Sequence, residues 1–192
     1  MSPHNPEKAR EQQVFVTVGT TTFDGLIGAV LKPSIISLLH TQGYTSICIQ
    51  HGKSAEIYQA CRTPELEAEL LKCEMSITAF AYADSEEITN KIKLAELVIC
   101  HAGSGTILDC LRYQKRIIAV PNTTLMENHQ AELADEMSKQ QYVVKGSLKS
   151  IARAIERSAT YPYRHFPRMG SKVFTEILED ELDKVDKDKM YG

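Results

Sequence analysis

The chain has 192 residues, of which 43% are hydrophobic and 24% charged, and its formal net charge is −3. That is room for one well-cored domain and not for two full ones, and the acidic balance, a local basic patch aside, excludes a nucleic-acid binder that works by overall charge. No run approaches the roughly 18 apolar residues of a membrane-spanning helix.

Residues 1–13 are polar and charged with no apolar stretch, so they read as a loose tail rather than a secretory signal. Val14-Phe15-Val16-Thr17-Val18 is the first predicted strand, and Gly19-Thr20-Thr21-Thr22 its exit turn. A helical stretch follows from Leu26 to His40, broken at Lys32-Pro33, where proline restarts a helix as its first residue. Gly43 is its stop signal. Ile47-Cys48-Ile49-Gln50 is the second strand, with His51-Gly52-Lys53-Ser54 as exit loop. Thr63 caps a helix that opens on Pro64 and runs to Lys72. Ser76 to Phe80 is the third strand. Asp84 with Glu87 three residues on forms a capping box for a helix to Ala95.

Leu97-Val98-Ile99-Cys100 is the fourth strand and the one most evidently buried on both faces. His101-Ala102-Gly103-Ser104-Gly105 turns into a helix from Thr106 to Tyr113. Ile117-Ile118-Ala119-Val120 is the fifth strand, ended by Pro121; a helix covers Glu127 to Lys139; Tyr142-Val143-Val144 is a short sixth strand; Ser147 caps a further helix to Ser158. Past Tyr161 comes a linker rich in aromatics and prolines. An amphipathic helix from Ser171 to Lys187 ends the pattern, with Val173, Phe174, Ile177, Leu178, Leu182 and Val185 on one face. That stripe either packs back on the domain or docks on a partner. The domain plan is thus 1–13 tail, 14–160 domain, 161–192 linker and C-terminal helix.

The alternation of strands and helices predicts an α/β fold: a doubly wound parallel sheet, Rossmann-like, with right-handed crossovers. In such sheets ligands bind beyond the carboxyl ends of the strands. The loops after strands one, four and five are therefore where chemistry is expected. The cysteines Cys48, Cys61, Cys73, Cys100 and Cys110 are odd in number and form no C-x-x-C pair, so they read as reduced, partly buried thiols rather than a disulfide set or a zinc site.

Gly103, Ser104, Gly105 and Thr106 lie where a buried strand opens a helix. Glycine lets backbone approach a ligand, and free N–H groups with the helix dipole attract phosphate; the same residues also serve as a plain tight turn. Asp109, three residues after Thr106, is placed near the end of the first helical turn. There a carboxylate can accept both hydroxyls of a ribose or simply complement the dipole. Gly19, Thr20 and Thr21 can ring a diphosphate with amides and hydroxyls, or cap a helix. This turn is neither a G-x-G-x-x-G fingerprint nor a P-loop. Asn128, His129 and Gln130 carry groups that read sugar hydroxyls, in a setting where polar residues commonly open a helix.

Taken together, Phe15-Val16-Thr17-Val18-Gly19-Thr20-Thr21, Val98-Ile99-Cys100-His101-Ala102-Gly103-Ser104-Gly105-Thr106 and Leu125-Met126-Glu127-Asn128-His129-Gln130 resemble the glycosyltransferase family 28 C-terminal domain. Within it they resemble the Alg13-type subunits of eukaryotic UDP-N-acetylglucosamine transferases. The resemblance covers Val14 to Gly146. It implies the donor-binding half of a GT-B glycosyltransferase, holding UDP-N-acetylglucosamine (UDP-GlcNAc), with the acceptor half on a membrane-anchored Alg14-type subunit. It further implies inverting transfer of the second GlcNAc, β1,4-linked, to dolichyl-diphosphate-GlcNAc at the cytosolic face of the endoplasmic reticulum. The chain itself is then cytoplasmic, held there by its partner, and uses no cofactor. By position, Gly103 to Thr106 meet the diphosphate. Asp109 stands for a ribose-binding glutamate of the related bacterial peptidoglycan transferase, one methylene shorter. His129 and Gln130 stand for its sugar-contacting glutamine pair. Leu133 replaces a downstream asparagine of that pattern, and Arg116 replaces a proline at the entry to strand five.

Inverting transfer needs a base for the acceptor hydroxyl and stabilisation of the departing UDP. No Asp-x-Asp motif is present, so the expected design uses no metal. The base is expected from the acceptor half. His101 is the candidate in this chain, and it can equally act by fixing its loop. Competing readings are a nucleotide-sugar-binding regulatory module, an interaction domain with a vestigial fold, and an NAD(P) reductase. The missing fingerprint and the absence of a Tyr-x-x-x-Lys pair count against the last.

Overall fold

A computed structural model of the chain describes residues 12–122, 129–167 and 174. Strands β1 (Gln13–Thr17), β2 (Ser46–Gln50), β3 (Ser76–Phe80), β4 (Ala95–Cys100), β5 (Arg116–Ala119) and β6 (Val144–Lys145) form one six-stranded sheet. Its order is β3-β2-β1-β4-β5-β6, and every pairing is parallel. The order reverses between β1 and β4, so the crevice expected for a ligand lies at the carboxyl ends of these two strands. Register makes it sharp. Thr17 pairs with Gln50 on one side and Cys100 on the other, and Cys100 pairs with Ala119, so the exit loops leave the sheet level with one another.

Two cores cover the two faces of the sheet, because alternate strand residues point opposite ways. Val14, Val16, Leu97 and Ile99 face one cluster. It is closed by α1 (Asp24–Val30), α2 (Pro33–Thr41), α4 (Pro64–Lys72) and α8 (Ile151–Thr160). Phe15, Val98 and Cys100 face the other, closed by α5 (Ser85–Leu94), α6 (Ser104–Arg112) and α7 (His129–Lys139). The strand β3 is largely exposed, as an edge position allows.

The expected caps form. The hydroxyl of Thr63 accepts from the Leu66 amide at 3.3 Å, Asp84 Oδ1 accepts from the Glu87 amide at 2.8 Å, and Ser147 Oγ accepts from the Ser150 amide at 3.2 Å. Pro33 and Pro64 open their helices. Several details differ from the sequence reading, beginning with Gln13, which was expected in the tail and instead opens β1. A short helix, α3 (Ala55–Ala60), follows the β2 exit loop, and none of its residues is fully buried. The sixth strand starts at Val144 instead of Tyr142, because Gln141 takes a left-handed turn (φ 64°) and the Tyr142 and Val143 amides both close on the Met137 carbonyl of α7. The Ser147 cap serves a single 3-10 turn, Leu148–Ser150, from which α8 then starts.

After α8 the aromatic segment packs back across the domain. Tyr161 Oη donates to the Ser138 carbonyl at 3.0 Å and Tyr163 Oη to the Ile117 carbonyl at 3.3 Å. The Gln114 amide brackets Phe166, donating to its carbonyl and accepting from its N–H. Of the expected C-terminal helix only Phe174 is among the described residues; it is buried in the second core. The rest of that helix and residues 1–11 of the expected tail lie outside them. No helix among the described residues is long and apolar enough to cross a membrane.

Candidate functional site

The crevice between β1 and β4 is built around one side chain, His101. Its backbone N–H donates to the Thr17 carbonyl at 3.2 Å, which draws the β4 exit onto β1. Thr17 Oγ1 donates to Gln50 Oε1 at 2.5 Å and accepts from the Gly19 amide at 3.0 Å, so three strand ends are knotted at Thr17. The imidazole, 8% exposed, lies between the two glycine turns. A Cβ added at Gly19 would meet its Cε1 at 2.8 Å, and one at Gly103 would meet its Nε2 at 2.4 Å. The glycines are thus required first by the histidine, and Gly19 also by its left-handed φ of 64°. Burial holds the His101 pKa below its ordinary value, against a smaller upward pull from the Thr17 backbone. His101 Nδ1 is buried and has no hydrogen-bond partner among the described residues. Beside it Ala102 sits at φ 60°, a conformation a non-glycine residue holds only when its surroundings impose it.

The β4 exit delivers the N-terminus of α6. The helix starts at Ser104, two residues earlier than expected, because Gly103 is its N-cap and offers no side chain to mark the start. Ser104 and Gly105 are exposed, and a Cβ on Gly105 would touch nothing within 4 Å. The first-turn N–H groups and the positive end of the helix dipole lie here, with no described atom within 4 Å of that added Cβ. The early start moves Asp109 into the second turn, where Arg112 Nη1 pairs with Asp109 Oδ1 at 3.1 Å on a half-exposed surface.

The β1 exit lines a cleft of about 600 Å³ with Thr20, Thr21, Thr22, Asp24, Lys53 and Leu148. The Thr21 hydroxyl donates into its own turn, to the Val18 carbonyl at 2.8 Å, so its proton is not offered outward. Gly52 lies beneath this turn, and a Cβ there would fall 2.6 Å from the Thr21 carbonyl oxygen. The Lys53 amide donates to that same oxygen at 3.2 Å, and Lys53 is among the residues that line the cleft.

Of the third loop, Asn128 lies outside the described residues, and His129 is the first residue of α7. Gln130 Oε1 accepts from the Asn122 amide at 3.0 Å, while Asn122 Nδ2 donates to the Thr22 carbonyl at 3.0 Å. Asn122, 2% exposed, therefore ties the β5 exit to the β1 turn. Leu133 is buried in the second core, so its side chain cannot reach a ligand in the asparagine's place. Among the described residues no three His, Cys, Asp or Glu side chains converge as a metal site would need. The sequence reading did not single out Lys53, Asn122 or Leu148. Lys53 carried the only signal, a cation beside a glycine at a strand exit.

Comparison with known proteins places the chain. The pattern of the glycosyltransferase family 28 C-terminal domain matches residues 13–182. The UDP-N-acetylglucosamine transferase subunit ALG13 of Yarrowia lipolytica is 31% identical over 170 residues, covering 86% of this chain and 82% of that protein. The human subunit of the same name is 34% identical over 150 residues, covering 73% of this chain but 12% of the human protein. Among solved structures, an NMR structure of ALG13 superposes with a TM-score of 0.66 at 23% identity, covering 88% of this chain and 96% of that one. MurG of Acinetobacter baumannii gives a TM-score of 0.57 at 14% identity, and this chain spans 51% of it. These likenesses fix the fold as the Rossmann-like half found in GT-B glycosyltransferases.

Proposed function

The chain belongs to the glycosyltransferase family 28 C-terminal domain family, and on that footing we propose that it is the donor-binding, catalytic subunit of a two-chain UDP-GlcNAc transferase. The reaction is addition of the second GlcNAc, β1,4-linked, to dolichyl-diphosphate-GlcNAc at the cytosolic face of the endoplasmic reticulum. A membrane-anchored Alg14-type chain supplies the acceptor half. The observation that carries the reading is the crevice itself. At the point where the strand order reverses, two glycine turns close on one buried imidazole, and the open N-terminus of α6 stands beside them.

In this reading the amides of Gly103 to Thr106 and of Gly19 to Thr21 hold the donor diphosphate, Asp109 takes the ribose hydroxyls, and Asn128, His129 and Gln130 face the sugar. To reach a ribose, Asp109 exchanges its half-exposed partner Arg112, a bond worth well under about 1 kcal/mol at such a surface. In the reaction an acceptor hydroxyl attacks the anomeric carbon, the bond to the UDP oxygen breaks, and configuration inverts. Negative charge grows on the leaving diphosphate, where the α6 dipole and amides are already oriented to receive it. His101 is kept neutral by burial and wedged in place, which suits a brace for both turns. The base that takes the acceptor's proton then comes from the partner half.

The test is transfer of labelled GlcNAc from UDP-GlcNAc to dolichyl-diphosphate-GlcNAc by membranes that carry the anchored partner but lack this subunit. Adding the purified chain should restore transfer, and Asp109→Ala should lower it through a raised donor KM. A folded, membrane-bound chain that restores nothing would instead make it a regulatory nucleotide-sugar-binding module.

A further inference from the structure

The loops at the carboxyl ends of β1 and β2 are built as one unit. Gly52, buried at φ 54°, lies under the β1 turn, where an added Cβ would meet the Thr21 carbonyl oxygen at 2.6 Å and that of Gly19 at 2.8 Å. Next to it the Lys53 amide donates to the Thr21 carbonyl at 3.2 Å. One residue further, Ser54 Oγ accepts from the Phe23 amide at 3.0 Å, and the Ser54 amide donates to the His51 carbonyl at 2.9 Å. The backbone of Lys53 is thereby fixed against the Gly19 turn by contacts on both sides of it.

Its side chain is not spent in the same way. Lys53 is exposed, and among the described residues that line the cleft of about 600 Å³ with Thr20, Thr21 and Asp24 it is the only cation. Among the described residues it makes no ion pair and no side-chain hydrogen bond, with Asp24 or with any other group. A lysine wanted only for solubility can sit on any exposed helix face; this one is held where two strand exits meet at the crevice. The third loop shows which part of a donor lies there. Gln130, which faces the sugar in the donor reading, accepts from the Asn122 amide at 3.0 Å, and Asn122 Nδ2 donates to the Thr22 carbonyl at 3.0 Å. The sugar side of the crevice is therefore tied to the turn that Lys53 flanks, whereas Asp109, the ribose partner of that reading, stands on α6.

We infer that Lys53 is a donor contact whose ammonium group meets the β-phosphate of UDP-GlcNAc, the phosphate that carries the sugar; the inference rests on the donor-binding reading above. In the transfer the bond from the anomeric carbon to the β-phosphate oxygen breaks, and its electron pair stays on that oxygen. The acceptor oxygen bonds to the carbon, and its proton goes to the base of the partner half. Lys53 keeps its own proton throughout. Its charge offsets the one that grows on the leaving oxygen, and its flexible four-carbon stem lets the ammonium follow that oxygen as the bond lengthens.

The test uses the reconstituted two-chain complex and compares wild type with Lys53→Met, which keeps the stem and removes the charge, and with Lys53→Arg. The side chain is exposed and unpaired among the described residues, so the fold is not at stake. Calorimetry reads the affinity for UDP and for UMP, which lacks the β-phosphate. In Lys53→Met the loss of one charge-assisted contact at an exposed site should weaken UDP roughly five- to tenfold and leave UMP within about twofold of wild type. The kcat for transfer should fall as well, with the acceptor KM unchanged, and Lys53→Arg should recover both UDP affinity and kcat. Unchanged UDP affinity in Lys53→Met would overturn the inference, and so would an equal loss for UDP and UMP. A wild-type complex that binds neither UDP nor UDP-GlcNAc would bring down the donor reading itself, and this inference with it.

Discussion

Replacing Gly105 with alanine separates ligand binding from folding at the seat where the donor diphosphate is expected. The position lies in the first turn of α6, its φ is not left-handed, and a Cβ there meets nothing within 4 Å. The fold therefore has no reason to resist, and lower entropy of the unfolded chain should stabilise the variant by roughly 0.4–1 kcal/mol. For a chain of this size that raises the Tm by about 1–4 °C. A helical Cβ, however, tilts toward the helix N-terminus, so the new methyl group stands where a phosphate would approach the amides. Intruding one methyl into a fitted contact costs about 1–3 kcal/mol, or roughly 5- to 150-fold in affinity. The assay is paired: a thermal melt of the purified chain, and the donor KM of the complex with its anchored partner. A rise in Tm together with a rise in donor KM is expected. If the donor KM stays within about twofold of wild type while the melt shows a folded chain, the N-terminus of α6 is not the phosphate seat.

The neighbouring glycine behaves in the opposite way. Gly103→Ala has an acceptable backbone (φ −70°), but its Cβ would lie 2.4 Å from His101 Nε2, and the ring cannot retreat because Gly19 bounds its other side. It should lose about 1–3 kcal/mol of stability in urea titrations, and most of that cost should vanish in a His101→Ala background. Burial holds the His101 pKa low, so the unfolded chain takes up its proton first, near pH 6.5. The stability tied to the neutral ring is therefore present above that pH and lost as pH falls through the lower folded value. His101→Gln should show a smaller drop in urea midpoint between pH 7.5 and pH 5.5 than wild type. Among the cysteines, burial pushes the Cys100 thiol up to about 12 and raises Cys110 as well, whereas Cys61 is only partly buried. Under native conditions at pH 8, mass spectrometry should find iodoacetamide on Cys61 first and on Cys100 and Cys110 only after unfolding.

What the sequence made legible was whatever repeats locally. Short apolar runs rich in β-branched residues marked β1 to β5 to within about two residues, and Pro33, Thr63, Pro64 and Asp84 marked helix starts by their own chemistry. The short helix α3 escaped because it buries no residue fully and so carries no apolar stripe. The start of α6 escaped because its N-cap is a glycine, which also misplaced Asp109 by two residues, about half a turn. Lys53, Asn122 and Leu148 belong to three different loops and meet only once the sheet is wound.

The glycines carry the sharpest lesson. In the sequence Gly19, Gly103 and Gly105 look alike, each a small residue at a strand exit with room for a phosphate. In the fold the first two are filled: their missing side chains are the space the His101 ring occupies. Only Gly105 faces open space at a helix N-terminus. The two kinds of glycine depend on each other, since the ring fills the first pair to hold the turns level, and level turns leave the third exposed. On the donor-binding reading, a histidine buried beside these two loops would act on the ligand through the backbone it positions, and its removal should disturb donor binding without its touching the reacting bond.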